Sequence, residues 1–173
     1  MIILGIDPGI AIMGYGVIES DGNRHRLIQY GALTTAAHTP TPSRLRAIFT
    51  GVNQLMDMFM PDDVAFEELF FSKNVTTGMA VSAARGAALV AAAQRTENLY
   101  EYTPMQIKQA VVGTGAADKR QVAYMVRTLT QLDHDPHPDH AADALACAIC
   151  HVNLSRTRAL TGGEFYQQRG TGY

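Results

Sequence analysis

Residues 138–151 read PDHAADALACAICH. Three candidate metal ligands, Asp139, His140 and Asp143, fall within five residues, and a C-x-x-C-H run follows them. The apolar spacing predicts a helix that starts in DPHPD and runs to about Ser155, with Asp135 as N-cap and Pro136 at the first helical position. At 100° per residue, Asp139 lies about 40° and His140 about 60° from Asp143, so either could share a site with it. Position separates them better. Asp139 sits in the first turn, where the helix dipole stabilises an acid without any metal. Cys147 and Cys150 share the same face one and two turns deeper, where the helix should meet a sheet. No second C-x-x-C supplies the remaining ligands of a zinc site, and nothing points to export for haem attachment. The cysteines are therefore expected to be buried, free thiols.

The rest of the chain builds that sheet. IILGID is a short apolar run ending at Asp7 before a Pro-Gly turn, and IMGYGVIES and HRLIQYGALTT follow as two strands of an antiparallel meander. SRLRAIFTGVNQLMDMFM has helical spacing behind a Thr/Ser cap. DDVAFEELFF reads as a fourth strand and FSKN as a loop. Residues 76–94 form a long helix rich in Ala and Gly, suited to close packing within the protomer or against a second copy. NLYEYTP is a fifth strand, Thr103 and Pro104 cap the helix PMQIKQAVV, and KRQVAYMVRTLTQL is another amphipathic helix after the loop GTGAAD. This order predicts an α/β fold with a mixed five-stranded sheet flanked by helices. Residues 1–155 make one domain, and residues 156–173 are expected to be a flexible tail.

The formal net charge of −2 argues at first against a polyanionic partner, but its distribution does not. Between Lys73 and Arg127 there are seven basic residues and only Glu97, Glu101 and Asp118 as acids. Other acids concentrate at Asp7, at Asp62, Asp63, Glu67 and Glu68, and at Asp133 to Asp143. A buried, unpaired carboxylate costs several kcal/mol, roughly, so Asp7 at the end of an apolar strand requires a cation, a backbone N–H or water. Carboxylates converging from separate elements suit hard divalent cations. Glu67 and Glu68 are neighbours on a strand and face opposite ways, and periodicity does not choose between them.

GIDPG at 5–9 followed by GYGVI, FEELF at 66–70, IKQAVVGTG at 107–115 and DHAADALA at 139–146, in this order, resemble the RuvC family of bacterial Holliday junction resolvases. The resemblance covers residues 1–155 and implies a ribonuclease H-like fold. It also implies a homodimer that nicks four-way junction DNA symmetrically in recombination and repair, leaving 5′-phosphate and 3′-hydroxyl ends. The implied ligands for two ions, Mg²⁺ or Mn²⁺, are Asp7, Glu67, His140 and Asp143. Glu67 is chosen because Phe70 stands three residues later, and His140 stands where many members carry Asp. An imidazole there favours Mn²⁺ relative to an all-oxygen set and predicts a loss of rate at acidic pH. The resemblance further implies DNA contacts by Lys108 and Lys119, with Arg120 as a neighbour. It places Phe70 at the junction centre, beside Lys73 and Asn74. A branch-migration helicase is an implied partner.

Two other classes compete. A ribonuclease H-like ATPase or phosphotransferase normally needs a second domain to close over nucleotide. A non-catalytic DNA-binding module gives no reason for acids on three elements. With no basic n-region and no apolar span, the chain is expected to be cytoplasmic and free of membrane.

Overall fold

The computed structural model describes residues 1–69 and 75–161. Its elements are β1 (Ile2–Asp7), β2 (Ile12–Ser20), β3 (His25–Thr34), α1 (Thr41–Phe59), β4 (Asp63–Glu67), α2 (Val75–Ala93), β5 (Leu99–Tyr102), α3 (Pro104–Val112), α4 (Lys119–Thr130) and α5 (Asp139–Thr161). The strands form one mixed sheet in the order β3-β2-β1-β4-β5. β1, β2 and β3 make the expected antiparallel meander, while β4 pairs parallel with β1 and β5 parallel with β4. Among the described residues no helix is long and apolar enough to cross a membrane.

β1 is the central strand, and its residues alternate between two cores because successive side chains leave a strand on opposite faces. Leu4 and Ile6 join Phe66 and residues of α1 and α2 on one face. Ile3 joins Ala65, Tyr102 and residues of α3, α4 and α5 on the other. Burial on both faces is why IILGI lacks the polar alternation of a surface strand.

Two cross-strand pairs, Gly5–Gly16 and Asp7–Gly14, sit under α5. A Cβ on Gly14 would run into the carbonyl group of His140, and one on Gly5 into the carbonyl oxygen of Ala144. The helix backbone thus rests almost directly on the sheet backbone. Because Gly14 is the partner of Asp7, the contact that seats His140 also brings it beside Asp7.

Four boundaries differ from the sequence expectation. β4 ends at Glu67 instead of running through Phe71, because its partner β5 stops at Tyr102, where the Thr103 capping box turns the chain into α3. α5 begins at Asp139, so Asp135 is not its N-cap. Asp135 and His137 each precede a proline, which disfavours helical geometry at both, and Asp135 instead pairs with Arg127 at 3.2 Å. α5 continues to Thr161, past Ser155. α1 starts at Thr41 after Pro40 with no side-chain cap hydrogen bond.

Gly14→Ala is expected to destabilise the fold by roughly 1–3 kcal/mol through overpacking against a backbone that has no rotamer to yield. Urea unfolding measures this, and an unchanged midpoint would contradict the close seat of α5.

Candidate metal centre

The register Ile6–Phe66 between β1 and β4 places Asp7 and Glu67 on adjacent strand ends. Opposed residues of parallel strands face the same way, and Glu67 shares its face with Ala65, which packs under α5. Glu68 is exposed, and its N–H donates to the Tyr102 carbonyl at 2.8 Å. The strand pairing therefore makes the choice that periodicity left open, and Glu67 is the inward residue.

α5 delivers His140 and Asp143 over the same edge. His140 Nδ1 lies 2.6 Å from Asp7 Oδ2, and with Asp7 ionised the imidazole is the donor. One ligand atom from each of Asp7, His140 and Asp143 lies within 4.8 Å of the other two. Glu67 stands outside that trio but lines the same cavity of about 300 Å³. Asp139 occupies the first helical turn, is exposed, and does not join the cluster.

Lys108 from α3 and Lys119 from α4 line the opposite wall. Lys119 is the first residue of α4, behind the N-cap Asp118, and its ammonium donates to Asp143 Oδ2 at 3.1 Å. Arg120 is exposed next to it and does not line the cavity. Phe70, Lys73 and Asn74 lie outside the described residues. Pro104, Ile107 and Val122 complete the wall and were not anticipated. The signal for them was helical spacing, since Lys108 lies four positions after Pro104, Ile107 three after Pro104, and Val122 three after Lys119.

The C-x-x-C-H run is core, as expected for its cysteines. Cys147 and Cys150 are not joined in a disulfide and are fully buried. His151 has an unanticipated role: Nδ1 lies 2.8 Å from the Tyr102 hydroxyl and Nε2 2.9 Å from Asp63 Oδ2. It ties the middle of α5 to β4 and β5 well below the cavity.

Three carboxylates and two ammonium groups face this small space, and burial dominates their electrostatics. Burial pushes the Asp7 carboxyl above its usual range, Asp143 adds to the shift, and His140 opposes it. Glu67 is pushed up to about 8 by burial first, then by Asp7 and Asp143, against Lys119 and Lys108. The Asp143 hydrogen bond and charge hold the Lys119 ammonium above its usual range. A divalent cation fits this donor set, because hard oxygens from two strands and a helix converge with one imidazole, and their excess negative charge is undercompensated.

A raised carboxyl pKa means the folded state holds protons that the unfolded chain has released. The contribution of Glu67 to stability should therefore be fully present below pH about 4 and be lost as pH rises through about 8. With chelator present, the melting temperature should drop over this window, and Glu67→Gln should flatten the drop. A divalent cation should raise the melting temperature most at the alkaline end. A pH-independent response would contradict the electrostatics.

Comparison with known proteins agrees with this geometry. The family model "Crossover junction endodeoxyribonuclease RuvC" matches residues 3–151. The crossover junction endodeoxyribonuclease RuvC of Alkaliphilus metalliredigens is 51% identical over 160 residues, covering 92% of this chain and 98% of that protein. That of Heliobacterium modesticaldum is 55% identical over 150 residues, covering 87% and 93%. Thermus thermophilus RuvC in complex with Holliday junction substrate superposes with a TM-score of 0.87 at 40% identity, over 91% of this chain and 96% of that one. The yeast mitochondrial Holliday junction resolvase Ydc2 shares the fold, with a TM-score of 0.66 at 13% identity over 92% of this chain and 84% of that one. The acid cluster at the strand ends, the helix laid over it and the match along nearly the whole globular part have one reading: the chain belongs to the RuvC family of crossover junction endodeoxyribonucleases, with a ribonuclease H-like α/β fold.

Proposed function

We propose that this protein resolves four-way DNA junctions as a homodimer, with Asp7, Glu67, His140 and Asp143 holding two divalent cations, Mg²⁺ or Mn²⁺, in each protomer. The observation that carries the reading is the convergence, in one cavity, of acids from β1, β4 and α5 with lysines from α3 and α4. Bound divalent cations would activate water for in-line attack and steady the leaving 3′-oxygen.

The chain's own groups do the positioning. His140 fixes the Asp7 carboxylate through Nδ1, which leaves Nε2 as its lone-pair donor. The raised pKa of Glu67 in the cation-free site reflects buried negative charge that a bound cation would neutralise. Lys108 and Lys119 face the cavity as point charges for the oxygens of a scissile phosphate. The products are a 5′-phosphate and a 3′-hydroxyl. Pro104, Ile107 and Val122 wall the site with apolar surface that excludes bulk water from one side.

The same reading assigns Phe70 to stacking on an unpaired base at the junction centre. Lys73, Asn74 and Arg120 contact the neighbouring DNA. It assigns residues 1–155 to one nuclease domain with 156–173 as a tail, and it includes a branch-migration helicase as partner. A cytoplasmic location belongs to it too, since Cys147 and Cys150, buried and not joined in a disulfide, suit a reducing compartment.

Cleavage of a synthetic four-way junction against linear duplex tests the proposal. The wild type should nick the junction in paired strands and leave the duplex largely intact. Asp7→Asn should lose at least about 10²-fold in rate, the scale of removing one stabilising group from a reacting centre, while still binding the junction. Equal nicking of both substrates rejects junction selectivity, and binding without cleavage by the wild type favours the non-catalytic module. His140→Asp should shift the rate ratio from Mn²⁺ towards Mg²⁺, and an unchanged ratio removes His140 from the ligand set.

A further inference from the structure

Between Asp21 and Asp57 the chain contains no acidic residue, but it carries Arg24, Arg26, Arg44 and Arg46. In a protein of net charge −2 this is the longest departure from balance outside the site already described. The segment folds as β3 and α1. Between them runs a groove with a cavity of about 500 Å³, whose polar lining is Thr34, Thr35, Ser43, Arg46, Thr50 and Gln54. Arg46, Thr50 and Gln54 are exposed, and no carboxylate lines the groove.

Hydrogen bonds join one end of the groove to the loop that follows β1. Arg44 Nε donates to Thr35 Oγ1 at 2.7 Å, and Thr35 Oγ1 donates to the Ile10 carbonyl at 2.5 Å. The Thr35 N–H donates to the Ala11 carbonyl at 3.0 Å. Ile10 and Ala11 belong to the loop that leaves Asp7, so one end of the groove starts where the catalytic strand ends. From there it follows α1 from Ser43 to Gln54, about 16 Å at 1.5 Å per residue.

We infer that the β3–α1 groove is a second binding track for the phosphate backbone of a duplex arm of the junction. Hydroxyls, an amide and a guanidinium are the groups that hold DNA backbone without reading its sequence. A track of about 16 Å is long enough to meet more than one successive phosphate of a strand. Leu33, Ala47 and Ile48 form the apolar floor of the groove, and among the described residues its lining offers a guanidinium and hydroxyls but no carboxylate for a basic peptide. The inference rests on the junction-resolving reading and adds a contact surface on elements that hold none of the candidate ligands.

The test uses the full chain carrying Asp7→Asn, which binds without cutting, and fluorescence anisotropy of a labelled junction between 50 and 200 mM salt. Arg46→Ala should weaken binding and lower the slope of log Kd against log salt by about 1, the contribution of one phosphate contact. Arg46→Glu should weaken binding further. Thr50→Lys should tighten binding and steepen the slope by about 1. Arg95→Ala, at the far end of α1 beside Asp57, should match the parent. Arg46 and Thr50 variants that all keep the parent's Kd and slope overturn the groove while leaving the resolvase reading intact. A parent that binds junction no better than linear duplex removes that reading and, with it, the groove.

Discussion

The approach of α5 to the sheet is the constraint on which everything else rests. A helix normally stands off a sheet by the length of its side chains. Here Gly5 and Gly14 remove those side chains from the sheet, and the helix backbone drops onto β1 and β2. The Asp7–Gly14 pair then sits under His140, and one turn along the helix Asp143 reaches the same cavity. The parallel register of β1 and β4 adds Glu67 from the other side. Four side chains from three elements thus meet because two backbone surfaces touch. At the other end of the contact, His151 bridges Asp63 and Tyr102, so α5 is pinned against sliding along its axis.

That geometry concentrates negative charge where burial makes it expensive. The raised pKa values of Asp7 and Glu67 record the cost, and the His140 and Lys119 contacts offset part of it. A core built only for stability would place apolar residues at these strand ends. Acids kept together against that gradient are the signature of a site whose ligand is cationic. Lys108 and Lys119 at the cavity and Arg46 in the β3–α1 groove set groups suited to phosphate around this acidic centre.

Much of this was legible in the sequence, because each signal was local. The apolar IILGI run and the Thr103–Pro104 cap mark elements from their own chemistry. The Asp139 position followed from the first turn of a helix, and the buried cysteines from the helical wheel. What stayed hidden needed a partner. Glu67 and Glu68 differ only in which strand face the register turns inward. β4 could not be ended at Glu67 without knowing where β5 stops. The α5 start was misplaced because Pro136 was read as a helical first residue, while the restriction that Pro138 puts on His137 was missed. His151 looked like part of a ligand motif until Tyr102 and Asp63, 49 and 88 residues away, supplied its bonds.

The central claim is that the seat of α5 on β1 assembles one cation site from Asp7, Glu67, His140 and Asp143. A crystal structure of the protein soaked in Mn²⁺, with anomalous scattering at the manganese edge, measures it most directly. The account predicts anomalous peaks in the cavity within bonding distance of Asp7, Glu67 and Asp143, with the His140 imidazole also coordinating. Peaks located elsewhere, or a cavity peak that the α5 residues do not touch, would contradict it.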